Sequence, residues 1–424
     1  MGRPPVGRVP YAAAVSTALH RPDAGTALVV GGGPGGLMAA EVLAEAGMQV
    51  TVVEHMPSVG RKFLLAGRSG LNLTHSESLD RMIDRYGAEQ DRLAPALRAF
   101  DATALREWSA GLGEPTFIGT SGRVFPRSLR ATPLLRAWLR RLDTLGVVIQ
   151  SRTRWAGWDA DGALRLVGAD GVHRSVHTDV TVFALGGASW PRVGSDGGWV
   201  PLFREAGIDV RSLRPANCGL LRQWSNEFAE RHGGAPVKNV ALGVGDAWAR
   251  GDVVVTSTGL EGGPVYAVSA AARDAFERDG EATVSIDLQP DLDVGQVVAR
   301  LQKARPKDSL SSTLKRTIGL SAPTVALLRE VHPQRLPTDP QSLAALLKSV
   351  PVGVNGVAPI DRAISSAGGV ALAEVDESFM LIRRPGTYVV GEMLDWEAPT
   401  GGYLLQATFS TAVTAARAAI ARRS

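Results

Sequence analysis

The sequence predicts an α/β protein built on a parallel sheet, with an antiparallel meander attached and a second, β-rich then helical, domain inserted before the sheet is finished. Three observations predict it. The stretch TALVVGGGPGGLMAAEVLAEAGMQVTVVE, residues 26–54, reads as strand, glycine turn, helix and second strand. Residues 147–180 alternate polar and apolar with turns at Asp161-Gly162 and Asp170-Gly171, the pattern of a three-stranded antiparallel sheet. From Leu213 the chain changes character, and the pattern of the first domain resumes only after Pro351.

The opening unit carries the most chemistry. Thr26–Val30 is a β-branched run suited to a buried parallel strand, and Gly31, Gly33 and Gly36 follow in G-x-G-x-x-G spacing. Gly31 suits a tight turn, Gly33 the approach of a pyrophosphate, and Gly36 close packing of helix on strand; Pro34 and Gly35 lie between. The helix N-terminus faces the anion with free N–H groups. Leu37, Ala40, Leu43 and Ala44 form the inward face, Gly47 ends the helix, and Gln49–Val53 make the second strand. Glu54 closes that strand, where a carboxylate accepts hydrogen bonds from an adenosine ribose. The unit is a Rossmann-like dinucleotide site, with FAD and NAD(P) both open at this point.

Residues 55–77 read as a loop dense in donors, including Arg61, Lys62, Arg68, Ser69, Asn72, Thr74 and His75, suited to ribose, pyrophosphate or an isoalloxazine edge. Residues 80–112 read as amphipathic helix and GRVFPRS (122–128) as an extended turn, followed by a helix with Leu134, Leu135, Trp138, Leu139, Leu142 and Leu145 as core positions. Val180–Leu185 reads as a buried strand, and Gly186 and Gly187 turn the chain away at its carboxyl end, where open α/β sheets bind ligands. Residues 213–290 read as strands and 291–351 as helices. Phe379–Arg383 and Thr387–Val390 read as short strands, before a long helix beginning at Gly401-Gly402. The domains expected are therefore 26–212 with 352–424, interrupted by 213–290 and 291–351; residues 1–25 read as a disordered tail.

Composition narrows the function. The 45% hydrophobic and 21% charged residues are those of a globular protein, and Ala27–Ala40, the longest weakly polar run, is too short to span a membrane. One cysteine, Cys218, excludes an internal disulfide framework and fits a cytoplasmic, reducing compartment. Net charge is only +4, yet Arg123, Arg127, Arg130, Arg136, Arg140, Arg141, Arg152 and Arg154 crowd one stretch, and Arg300, Lys303, Arg305, Lys307, Lys315 and Arg316 another. These read as solvated faces or as contacts to a phosphate-rich partner. No Ser-His-Asp set, carboxylate pair or metal-spaced His/Cys cluster is present in the sequence, and the proton-donor candidates are His75 and Tyr403.

Seven stretches resemble the BaiN/YhiN-like flavoproteins, FAD-dependent oxidoreductases with a glutathione-reductase-type flavin fold: VVGGGPGGLMAA with VVE, LLAGRSGLNLTHSE, GRVFPRS, FALGGASWP with GSDGG, TGLEGGPV, ISSAGGVAL, and YVVGEMLDWEAPTGGYLLQATFS. The resemblance implies that Gly31, Gly33, Gly36 and Glu54 bind the ADP half of FAD, and that Ala184, Gly186 and Gly187 line the cofactor. It implies that Gly391, Glu392, Gly401, Gly402 and Tyr403 surround the ribityl chain and flavin, and that the insert joins a β-barrel-like part to a helical cap. Many relatives read Arg-Cys-Asn where this chain reads Gly70-Leu71-Asn72, so no thiol role is carried over. Family members act on steroid-like small molecules or on a uridine of ribosomal RNA, so both substrate classes are open, as is a non-catalytic flavin-binding role. No second G-x-G-x-x-G follows a strand, so any NAD(P)H binds transiently; no protein partner is identifiable.

Overall fold

The structure is a computed structural model and describes residues 25–67, 70–305 and 307–423. The tail expectation, apart from Gly25, and the candidates Arg68 and Ser69 lie outside the described residues. Five parallel strands form the central sheet in the order Thr387–Val389, Val180–Phe183, Thr26–Val30, Gln49–Glu54, Val148–Ser151. Successive side chains of a strand point to opposite faces, so each strand feeds two cores. Ala27, Val29, Val50, Val52 and Val182 pack under the first helix, Pro34–Glu45, the helix Ala131–Thr144 and the C-terminal helix Tyr403–Ala421. Leu28, Val30, Val53, Phe183 and Val389 pack on the other face against Trp155, Leu164, Leu166 and Phe203.

The antiparallel meander on that second face runs Arg154–Trp158, Leu164–Val167, His173–Val176. It is shorter than expected: Val148–Ser151 pairs in parallel with Gln49–Glu54 and is the edge of the main sheet. Other boundaries shift as well. The expected loop 55–77 contains a helix, Arg61–Ala66, and a short strand, Thr74–His75, which joins Arg123–Pro126 and Thr116–Ile118 in a three-stranded antiparallel sheet. Phe379–Arg383 makes only isolated bridges, Met380 to Tyr388 and Leu381 to Val375.

A further core is drawn wholly from residues 220–354. Its seven-stranded antiparallel sheet ends on Val350–Val354 at one edge and Gly356–Val357 at the other, strands separated in the chain by Asn355 alone. The sheet therefore curls until its edges meet. The stretch 213–290, expected as strands, also contains Asn226–His232 and a 17-residue helix, Gly263–Asp279. Pro264 sits in its first turn, where the missing N–H costs nothing, and Gly280 caps its end in a left-handed conformation (φ 75°). Val210–Ala216 and Ser365–Val370 pair with each other at the passage into and out of this region.

One buried charge locks the helical layer. Glu41, on the first helix and 2% exposed, accepts from the indole N–H groups of Trp108 (3.1 Å) and Trp138 (2.5 Å) and from Arg141 (2.7 Å). Cys218 is buried among Ala358 and Ala363, and burial raises its thiol pKa. Among the described residues no helix is long and apolar enough to cross a membrane. Replacing Glu41 with Ala strands two indole donors and a guanidinium at once. The expected loss is about 3 kcal/mol of stability, read as a lowered midpoint in urea unfolding followed by tryptophan fluorescence; an unchanged midpoint would show that these donors find other partners.

Candidate active site

At the carboxyl ends of the parallel strands lies a cavity of about 520 Å³. The first strand delivers Gly31–Gly35 to its wall, the second Glu54, the fourth in chain order Ala184–Gly186, and the last Val390–Glu392. The glycine demands are separable. A Cβ on Gly31 (φ 109°) would lie 2.4 Å from the Ala184 carbonyl oxygen, and one on Gly36 1.9 Å from that of Gly31. Gly33 is different: nothing of the protein lies within 4 Å of where its Cβ would stand. The protein's own packing does not require glycine there, and the space beside it opens into the cavity.

Glu54 braces the turn. Its Oε2 accepts from Gly32 N–H (2.9 Å) and its Oε1 from Met56 N–H (2.8 Å), with His55 Nδ1 3.3 Å from Oε1; Oε2 keeps a further lone pair. Lys62, on the helix Arg61–Ala66, donates to Glu392 Oε2 (2.7 Å) and Ser189 Oγ (2.6 Å), while Glu392 Oε1 accepts from Ser366 N–H (2.8 Å). The C-terminal helix starts against the same space. Gly401 (φ 133°) and Gly402 (φ 104°) line it, and a Cβ on Gly402 would come 2.4 Å from the backbone of Thr74.

Of the sequence-predicted residues, Gly31, Gly33, Pro34, Gly35, Glu54, Arg61, Lys62, Asn72, Ala184, Gly186, Gly391, Glu392, Gly401 and Gly402 line the cavity. Gly36 and Gly187 do not; they sit behind it, Gly36 against Gly31 and Gly187 against Ser366. His75 and Tyr403 are not lining residues either. Their rings stack on each other, with centroids 5.4 Å apart. His75 Nε2 lies 3.0 Å from the Ser121 carbonyl and its Nδ1 accepts from Glu77 N–H. Burial first, then the Glu77 carboxylate, push the Tyr403 phenol pKa upward. Nominating this pair as proton donors therefore loses its geometric basis. Sequence reasoning missed Ser195, Trp190, Arg123 and Trp396, all of which line the cavity. Their stretches were legible as motifs, but no spacing rule singles out one side chain within them. Leu71 is fully buried and forms part of the wall.

The family model described as "HI0933-like protein Rossmann domain" matches residues 25–418. The chain belongs to this family. With it comes the chemistry: HI0933-like proteins are FAD-dependent oxidoreductases, and this chain is a flavin-dependent enzyme. It is 26% identical over 409 residues to the 3-dehydro-bile acid delta(4,6)-reductase of Clostridium scindens, covering 93% of this chain and 98% of that one. It is 25% identical over 411 residues to the ribosomal RNA dihydrouridine synthase of Escherichia coli, covering 94% and 98%. Among solved structures, the 3-ketosteroid delta1-dehydrogenase of Sterolibacterium denitrificans shares the fold with a TM-score of 0.52 at 14% identity, covering 94% of this chain and all of that one.

The residues fit the cofactor of an HI0933-like protein. Three buried polar atoms on or beside the cavity wall have no partner among the described residues: Arg61 Nε, Asn72 Oδ1 and Ser195 Oγ. Buried polar groups are normally satisfied, so these three, with the open space at Gly33, await a polar ligand. Two glycine variants separate ligand space from protein packing. Gly33→Ala should leave the melting temperature of the flavin-free protein within a few degrees of wild type yet greatly lower bound flavin, read from absorbance per chain. Gly36→Ala should lower both. Full flavin content in Gly33→Ala would remove the case that this space is reserved.

Proposed function

We propose that the protein reduces an activated C=C or C=N bond of a flat, largely apolar small molecule, taking electrons from NADH or NADPH bound transiently. The observation that carries this reading is the continuity of one cavity from the glycine turn to the start of the C-terminal helix, with Leu71, Trp190, Ile364, Leu404 and Leu405 along its walls. Gly31–Gly35 and Glu54 would hold the ADP half of FAD, and Asn72, Gly391, Glu392 and Gly401–Gly402 the remainder. Bound FAD supplies two-electron hydride chemistry; the protein supplies position and field. The C-terminal helix presents its positive end to the cavity, equivalent to about half an elementary charge, and favours negative charge that develops there. Lys62, paired to Glu392, orients that carboxylate and leaves no net charge of its own in the wall.

The Clostridium relative is named for reduction at the delta(4,6) position of a bile acid, which supports a C=C substrate. A uridine of RNA is the second reading. It rests on the Escherichia coli relative and on Arg127, Arg130, Arg136, Arg140, Arg152 and Arg154, all of which remain exposed. Arg141 and Arg316 from the same clusters are instead spent on Glu41 and Asp308.

The purified protein should carry FAD, bleach on anaerobic titration with NADH or NADPH, and recover its spectrum with an enone such as a 3-keto-4-ene steroid. Recovery only with ribosomal RNA fragments, weakened steeply by salt through counterion release, would favour the second reading. A protein that takes up no flavin on reconstitution, or whose flavin is reduced by neither nucleotide, would sink the first.

A further inference from the structure

The cavity wall carries three features that holding a dinucleotide does not explain. Arg123 lines it, and among the described residues its guanidinium has no hydrogen-bond or ion-pair partner. Trp190 and Ile364 also line it, yet each is 38% exposed, so two large apolar side chains stand at its rim. Trp190 moreover holds a left-handed backbone (φ 62°), which for a bulky residue costs on the order of 1–2 kcal/mol and persists only where neighbours over-determine it. Those neighbours are present. Ser189 receives Lys62 and lies 3.5 Å from the Ile364 carbonyl, and Ala188 N–H donates to Ser366 Oγ (2.9 Å).

Two of the three residues are tied to the start of the C-terminal helix, and Trp190 is tied to Ile364 through Ser189. Arg123 pairs with His75 across the small sheet, and the neighbouring Thr74 backbone abuts Gly402. Asn217 Nδ2 donates to Ser365 Oγ and to the Ala398 carbonyl, 2.8 Å each, tying the Ile364 segment to the chain that leads into Gly401. Another cation of this region, Lys62, is already committed to Glu392 and Ser189. Arg61, whose Nε is also unpartnered, follows Gly60, which donates to the Gly32 carbonyl in the glycine turn; Arg123 is the free donor on the small sheet.

We infer that Arg123, Trp190 and Ile364 form the substrate subsite, taking a flat apolar ring that bears an oxygen conjugated to the reducible C=C bond. The inference rests on the reductase reading above. Trp190 and Ile364 cover the ring, and Arg123 holds the oxygen by a charge-assisted hydrogen bond. Its chemical consequence follows. Hydride adds to the carbon β to the carbonyl, the π electrons move toward the oxygen, and a solvent proton then closes the α carbon; overall H⁻ and H⁺ are added across C=C. A guanidinium at the oxygen stabilises the charge that collects there. Both substrate readings share this feature, since an enone steroid and a uracil ring each conjugate C=C to C=O.

The test uses oxidised, flavin-loaded protein and the phenolate of 4-hydroxybenzaldehyde, a flat ring with an oxyanion, with the perturbation of flavin absorbance giving Kd. Arg123→Gln should weaken binding about tenfold or more, the worth of a hydrogen bond to a charged group. Arg123→Lys should fall between, having charge without the planar fork. Trp190→Ala should weaken binding several-fold and Trp190→Phe less. Flavin content and photoreduction should match wild type in all four, which separates a substrate contact from a role in folding or cofactor binding. Equal affinity of wild type and Arg123→Gln, including no measurable binding by either, overturns the assignment, as does loss of flavin in Arg123→Gln and Arg123→Lys alike. A flavin-loaded wild type that binds the phenolate but is reduced by no nucleotide would fail the reductase reading and leave the subsite standing.

Discussion

The site depends on the ion pair between Lys62 and Glu392. These two residues come from opposite ends of the chain, and around their contact Ser189 and Ser366 add a third and a fourth segment. The pair is partly buried, so removing either member leaves the other charge short of both water and partner, which is strongly destabilising where burial is high. Its position follows from topology. Open parallel sheets leave a crevice at the carboxyl ends of their strands, and this pair closes one side of it.

How much of this was legible in the sequence depends on whether a feature is a backbone demand or a side-chain choice. Backbone demands leave fixed spacing. Gly31, Gly36 and Gly402 each stand where a Cβ would strike a neighbouring backbone, and the first, second and fourth strands in chain order of the parallel sheet were readable from their apolar runs. Val148–Ser151 was harder. As a sheet edge it is only half covered, so it alternates like an antiparallel strand and was grouped with the meander. The helix Gly263–Asp279 hid behind Gly262-Gly263-Pro264, which resembles a turn but serves as a helix start. Single side chains leave no spacing at all, which is why Arg123, Trp190 and Ser195 emerged only from the cavity. His75 and Tyr403 looked reactive by residue type, but they stack on each other outside the cavity lining, and both His75 ring nitrogens are engaged by the Ser121 carbonyl and the Glu77 N–H.

The inserted region is not a passive lid. Arg273, buried on the long helix Gly263–Asp279, donates to both oxygens of Glu397 (3.1 and 2.9 Å) and to the Pro215 carbonyl. Glu397 precedes Gly401 by a few residues, so the insert grips the chain where the C-terminal helix begins. Ile364 lies on the return strand side of the same passage. The walls proposed to face substrate and cofactor thereby share one framework, and a shift of the insert would move both.

The placement of the strand Thr387–Val389 and the helix Tyr403–Ala421 at the end of the chain has a consequence for synthesis. The glycine turn leaves the ribosome long before the C-terminal helix that packs against its helix. Until that helix arrives, the apolar face of Pro34–Glu45 that it covers stands bare, and the crevice has only one side. With the site proposed above, flavin capture would follow the arrival of that helix, and a chain cut short after Val370 would present the glycine turn without the helix that faces it.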